Sequence, residues 1–162
     1  MARVALALGS NLGDRAENLR RAREALAPEF VLEACSRLYE TEPAYVRDQP
    51  QFYNQVCLAT TLLTPREALR RLKTIETEVG RVPSARYGPR LIDLDVLFYD
   101  DVVLEGPDLV LPHARLAERA FVLVPLAEVA PEWKHPRLQL TTAQLLARLG
   151  DTAGEVWPVP GR

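Results

Sequence analysis

Residues Ile92 to Tyr99 read I-D-L-D-V-L-F-Y, and two aspartates inside so apolar a run restrict the fold more than any other stretch. The run is rich in strand-formers, and side chains two apart on a strand emerge on one face. Asp93 and Asp95 therefore point the same way, while Ile92, Leu94, Val96, Leu97 and Phe98 mark the strand as mostly buried. Carboxylates on a buried strand need partners, because bare charge there is costly. Just ahead, R-V-P-S-A-R-Y-G-P-R places Arg81, Arg86 and Arg90 in a segment broken by Pro83, Gly88 and Pro89. An exposed edge strand beside a solvated basic loop is the ordinary reading of either half alone. Together, paired carboxylates and guanidinium groups suit divalent cations and an oligophosphate.

The remaining pattern supplies the elements around this strand. R-V-A-L-A-L, Arg3 to Leu8, reads as a short buried strand, and G-S-N-L-G-D as a turn whose N–H groups suit an anion only weakly. Asp14 and Glu17 form a capping signature for a helix with Leu19, Ala22 and Leu26 on its apolar face, ended by Pro28. Strand-like residues follow from Phe30 to Tyr39 and again from Val56 to Leu63. Between them runs a long connection, Thr41 to Asn54, bearing prolines and the aromatics Tyr45, Phe52 and Tyr53. Such a loop either binds a ligand or covers the core. Thr64, Pro65 and Glu67 open a second helix with Leu69, Leu72, Ile75 and Val79 as its stripe and Gly80 as its stop. Glu76 falls on or beside the buried face, either for a specific partner or at a solvent-reaching boundary.

After the pivotal strand come a turn at Asp100–Asp101, a return strand from Val102 to Leu104, and L-V-L-P-H with His113. A lone histidine is more often structural than catalytic. An apolar helical run then reaches Val129, Pro131 ends it, and a short helix near Thr142–Leu149 precedes a tail expected to be mobile. The order strand, helix, strand, strand, helix, strand predicts an α+β class: a ferredoxin-like βαββαβ core, helices on one side, with a β-hairpin extension and C-terminal helices. No repeat or linker divides it, so residues 1–162 read as a single domain.

Composition excludes other classes. A net charge of -2 argues against a nucleic-acid or membrane surface, and no apolar run is long enough to span a bilayer. The start shows no signal-peptide organisation, which predicts a cytoplasmic protein. Cys35 and Cys57 lack metal-ligand spacing and read as reduced core thiols. Neither a phosphate-loop motif nor a dinucleotide fingerprint occurs, and no zinc site or Cys–His nucleophile is supported. An RNA-binding module would need aromatic patterns missing here. A small-molecule-sensing domain would not need metal carboxylates beside arginines.

R-Y-G-P-R-L-I-D-L-D-V-L resembles the signature of the 6-hydroxymethyl-7,8-dihydropterin pyrophosphokinases, folate-pathway enzymes that move a diphosphate from ATP onto a pterin alcohol. The resemblance extends through A-L-G-S-N-L, Y-E-T-E-P, D-Q-P-Q-F-Y-N, the helix ending E-x-x-x-G-R, L-P-H and R-A-F, from about Val4 to Pro131. It implies that Asp93 and Asp95 bind two magnesium ions bridging the ATP phosphates. Arg81 and Arg90 would act on the transferring phosphates, as catalytic and nucleotide-binding residues. His113, Lys73, Glu76, Val96, Val110 and Arg119 would complete the nucleotide side. Asn54 would hydrogen-bond the pterin, Phe52 and Phe121 would sandwich it, and Thr41, Pro43 and Ala44 would read its edge. Tyr87 would close over the site. The implied partners are ATP and a hydroxymethyldihydropterin, taken by a monomer. Departures from the family pattern fall at Pro83, Ser84, Asp108 and Ala114, among the outer nucleotide contacts.

Overall fold

The computed structural model describes residues 1–41, 51–80 and 91–161. In chain order these form β1 (Ala2–Ser10), α1 (Arg15–Leu26), β2 (Phe30–Cys35), β3 (Tyr39–Thr41), β4 (Phe52–Thr61) and α2 (Pro65–Val79). Then follow β5 (Asp93–Tyr99), β6 (Leu104–Glu105), β7 (Val110–Leu111), a 3₁₀ turn (Leu116–Glu118), α3 (Ala120–Val129), α4 (Thr142–Arg148) and β8 (Val156–Pro158). Among the described residues, the main sheet has the order β5-β1-β4-β3-β8, with β2 on β4 beyond β3, and every neighbouring pair is antiparallel.

The helix starts follow from local chemistry. The Asp14 carboxylate accepts the Glu17 N–H at 3.1 Å, whereas Glu17 turns to Arg20 and leaves the reciprocal half of the capping box unmade. At α2 both halves form: Glu67 N–H donates to Thr64 Oγ1 (3.3 Å) and Thr64 N–H to Glu67 Oε1 (2.8 Å). Gly80 ends α2 at a φ of 109°, a left-handed conformation that suits glycine. Leu19, Ala22 and Leu26 of α1, with Leu72, Ile75 and Val79 of α2, pack on Val4, Leu6 and Leu8 of β1 and on Leu94 and Val96 of β5. The opposite face carries a second core. There Ala5, Val56, Leu58, Leu97 and Phe98 meet Leu123 and Leu126 of α3 and Leu145 of α4. Helices thus cover both faces, because the C-terminal pair closes the side that a simple split unit leaves open.

Four expectations change. The strand read from Phe30 to Tyr39 is two strands, both on β4. The return strand lies later than its apolar residues suggest, with Leu104–Glu105 pairing with Val110–Leu111. The tail is ordered at β8, which adds to the edge of β3 and carries Val156 into the interior. Finally, Cys35 and Cys57 are a cross-strand pair with Cα atoms 4.1 Å apart, and they are joined as a disulfide. No helix among the described residues is long and apolar enough to cross a membrane.

Candidate active site

Cross-strand partners in an antiparallel sheet project to one face. Gly9 of β1 pairs with Asp93 on one side and Asn54 on the other, and Ala7 pairs with Asp95 and Val56. Asn54 in turn faces Tyr39, and Phe52 faces Thr41. The carboxylate pair and the candidate heterocycle-binding residues therefore share one face, separated by a glycine. With strands about 4.8 Å apart, Asp93 and Asn54 stand roughly 10 Å from each other across Gly9.

Gly9 is the residue that sequence reasoning missed. A Cβ there would lie 3.0 Å from Asn54 Oδ1 and 3.5 Å from Phe52 Cδ1, so a larger side chain would push on both. Asn54 has little room to yield, because its Nδ2 donates to the buried Thr41 hydroxyl at 2.7 Å. The G-S-N-L-G turn is held by a side chain of α1. Asn18 Nδ2 donates to Ser10 Oγ (3.2 Å) and to the Leu12 carbonyl (2.9 Å), pinning the turn to α1.

The carboxylate side is built by α2. Glu76 is 2% exposed, and its Oε2 accepts the Leu94 N–H at 2.7 Å, while Lys73 Nζ donates to the Leu94 carbonyl at 3.0 Å. Leu94 lies between Asp93 and Asp95, so α2 grips the backbone of the edge strand at the residue separating the two acids. Such a cap also satisfies polar groups that an edge strand leaves open. Lys73 further pairs with Glu76 Oε2 (3.2 Å) and lies 3.8 Å from Asp95 Oδ1.

A bulge continues the arrangement. Ala5 pairs with Phe98 but Leu6 with Val96, leaving Leu97 as the extra residue. The His113 N–H donates to the Leu97 carbonyl at 3.0 Å, fastening L-P-H along this strand. Burial, outweighing the nearby Asp95 charge, holds the His113 imidazole below its ordinary pKa, and Arg119 and Lys73 push the same way. Its Nδ1 accepts the Arg115 N–H at 3.4 Å, which leaves the proton of the neutral ring on Nε2. Arg119 lies over the Phe121 ring at 5.4 Å, linking this group to the start of α3.

The structure thus brings Asp93, Asp95, Lys73, Glu76 and His113 together at the β5 edge, with Arg119 near His113 and Phe121 beside Arg119, and it brings Thr41, Phe52 and Asn54 together on β3 and β4 across Gly9. Val96 is 3% exposed within the α1/α2 core, so any nucleotide contact there falls to its backbone. Val110 is exposed on β7. Asp108, a departure from the family pattern, is paired with Arg66 of α2 at 3.5 Å. Arg81, Arg90, Pro43, Ala44 and Tyr87, with Pro83 and Ser84, lie outside the described residues.

Two half-exposed carboxylates on one strand face are hard oxygen donors of the kind that magnesium takes. No group of three or more candidate metal-ligating side chains occurs among the described residues.

Residues 5–131 match the family described as 7,8-dihydro-6-hydroxymethylpterin-pyrophosphokinase (HPPK). The chain belongs to that family. It is 44% identical over 136 residues to a 2-amino-4-hydroxy-6-hydroxymethyldihydropteridine pyrophosphokinase of Pseudomonas aeruginosa, covering 83% of this chain and 84% of the relative. It is 39% identical over 157 residues to a folic acid synthesis protein of Dictyostelium discoideum, covering 97% of this chain. Of that longer protein it spans only 24%. A crystal structure of wild-type Plasmodium falciparum HPPK-DHPS superposes with a TM-score of 0.73 at 18% identity, covering 94% of this chain and 45% of that one. At this identity the likeness speaks to fold alone. The HPPK span ends at residue 131, so α4 and β8 lie beyond it.

Proposed function

We propose that this chain transfers a diphosphate from ATP to the hydroxymethyl oxygen of 6-hydroxymethyl-7,8-dihydropterin, a step of folate biosynthesis. The observation that carries this reading is the row Asp93–Gly9–Asn54 with Asp95 two residues further on β5, which sets a carboxylate pair and an amide on one sheet face with a glycine between them. In this reading the pterin lies between Asn54 and the carboxylate pair, its ring edge at Asn54 and its hydroxymethyl arm toward the aspartates. In the reaction the alcohol oxygen bonds to the β-phosphorus of ATP, the bond from that phosphorus to the α–β bridging oxygen breaks, AMP leaves and the hydroxyl proton is lost.

Asp93 and Asp95 would hold magnesium, two ions in our reading, which when bound neutralises phosphate charge and acidifies the alcohol. The chain's own residues do the positioning that phosphoryl-type transfer chiefly requires. Asn54, with Thr41, Pro43 and Ala44, orients the pterin edge, and Phe52 and Phe121 flank its ring, with Tyr87 closing over it. Neutral His113 offers an Nε2–H to the nucleotide beside Lys73, Glu76, Val96, Val110 and Arg119. Arg81 and Arg90 would offset the negative charge that gathers on the bridging oxygen as AMP leaves. We read the βαββαβ arrangement of β1, α1, β2, β4, α2 and β5 as a ferredoxin-like core. We further read the chain as one domain, monomeric and cytoplasmic, with small-molecule partners and neither a nucleic-acid nor a membrane surface.

Incubation with magnesium, ATP and hydroxymethyldihydropterin tests the reading, with AMP and the pterin diphosphate as expected products. ADP in place of AMP, or no nucleotide product, overturns it. Asp95→Ala should abolish turnover with an unchanged melting temperature; near wild-type activity in magnesium would remove the metal assignment.

A further inference from the structure

Behind the proposed pterin face, on the other side of the sheet, lies a cluster that the reaction does not use. Arg15, the first residue of α1, donates from Nη1 to Glu40 Oε2 (3.0 Å) and to the Gln51 carbonyl (2.7 Å), and its guanidinium lies 3.9 Å from the centre of the Tyr53 ring. The second Glu40 oxygen, Oε1, accepts from Trp157 Nε1 at 3.2 Å. Glu40 pairs with Tyr53 on β4 and with Trp157 on β8, so one row across three strands is held by one guanidinium.

That row sits inside a three-pair ladder. Tyr39 faces Asn54, Glu40 faces Tyr53 and Thr41 faces Phe52. Alternation puts Thr41, Phe52 and Asn54 on the front and Glu40 and Tyr53 on the back. A ladder this short frays easily at its end, and its end is the Thr41–Phe52 pair. Arg15 touches Glu40 just before Thr41 and Gln51 just before Phe52, bridging both strands where they would part. Its own position is secure, with Asp14 capping α1 and Asn18 fastening the preceding turn. With a quarter of either side chain exposed, Arg15 and Glu40 form a partly shielded pair rather than a solvated one.

We propose that Arg15, backed by Glu40 and Trp157, is a positioning residue for the pterin, holding the β3–β4 ladder from behind so that Thr41, Phe52 and Asn54 meet the ring preset. The inference rests on the pterin reading of the front face. It also gives the C-terminal strand a task, since Trp157 lies beyond residues 5–131, which the family model matches.

The test is Arg15→Met, which keeps an apolar stem and removes the charge and both donors, beside Arg15→Lys and Trp157→Phe. Amide hydrogen exchange read over residues 39–41 and 52–55 should accelerate about tenfold in Arg15→Met, while the central β1–β4 ladder keeps its protection. KM for the pterin should rise roughly tenfold with kcat and KM for ATP within about twofold, because a preset face acts on one substrate's binding. Trp157→Phe should move the same quantities in the same direction by less, and Arg15→Lys should recover part of the loss. Unchanged exchange in Arg15→Met overturns the clamp. Faster exchange with an unchanged pterin KM, or with both KM values and kcat altered in parallel, reduces Arg15 to a structural residue and overturns the positioning role. A wild-type chain that forms no AMP overturns the pterin reading instead, and the exchange measurement still decides whether Arg15 holds the ladder.

Discussion

Replacing Glu76 by alanine should both destabilise the protein and loosen its carboxylate pair. The substitution removes the acceptor of the Leu94 N–H, now bonded at 2.7 Å, and one partner of the Lys73 ammonium. A buried donor left without an acceptor costs about 1–3 kcal/mol. Losing one buried methylene adds about 0.8 kcal/mol. The expected loss is about 2–4 kcal/mol, which for a domain of this size lowers Tm by roughly 5–12 °C. Glu76→Gln keeps an oxygen that can accept from Leu94, so its Tm should fall by only about 2–4 °C, in line with a loss near 1 kcal/mol. Because Leu94 separates Asp93 from Asp95, a released backbone also misplaces the two acids. The magnesium concentration for half-maximal activity should therefore rise about tenfold in the alanine variant, a shift near 1.4 kcal/mol, and little in the glutamine variant. Thermal melts and a magnesium titration of AMP formation read the two effects separately. An alanine variant melting within about 1 °C of wild type would refute the energetic argument. A clear loss of Tm with an unchanged magnesium requirement would refute the link to the acids.

Gly9→Ala should raise KM for the pterin more than KM for ATP. Its Cβ meets Asn54 Oδ1 at 3.0 Å, and overpacking of this kind costs about 1–3 kcal/mol; equal effects on both substrates would argue against the pterin reading of this face. His135 is buried, and its Nδ1 accepts the N–H groups of Arg137 (3.2 Å) and Leu138 (3.1 Å). Burial first, and the Arg137 charge second, hold its pKa below the ordinary value. As pH falls below about 6.5, the unfolded chain takes up a proton that the folded ring resists. The stability contribution is thus complete above that pH and declines as pH falls toward the depressed folded value. Tm should drop over this range, less steeply in His135→Gln, and parallel slopes would contradict the assignment. Thr64→Ala removes one half of the α2 capping box and should cost about 1 kcal/mol while leaving kcat unchanged, as melts and turnover would show.

Some of this was legible along the chain because its causes are local. Asp14 and Thr64 announce helix starts through bonds spanning three residues. The alternation in I-D-L-D-V placed both acids on one face before any partner strand was known, and the structure keeps Leu94 and Val96 buried opposite them. Glu76 remained ambiguous, since helical spacing puts it at the margin of the stripe, and only the arrival of β5 gives its carboxylate the Leu94 N–H. Val156–Pro158 is too short to signal a strand; it becomes one because β3 presents an open edge. Cys35 and Cys57, 22 residues apart, carry no spacing signal and meet only through the β2–β4 register.

The sequence by itself determined the helix starts, the main strands and the face that Asp93 and Asp95 share, because caps, turns and periodicity act over a few residues. Tertiary structure decided which strands are neighbours, and with that what each side chain faces. Only the order β5-β1-β4 sets Gly9 of an ordinary turn motif between Asp93 and Asn54 on one sheet face. Only the pairing of β3 with β4 and β8 sets Glu40 between Tyr53 and Trp157, within reach of Arg15. Strand order comes from burying two sheet faces against four helices at once, a condition on the whole chain that no short stretch of it carries.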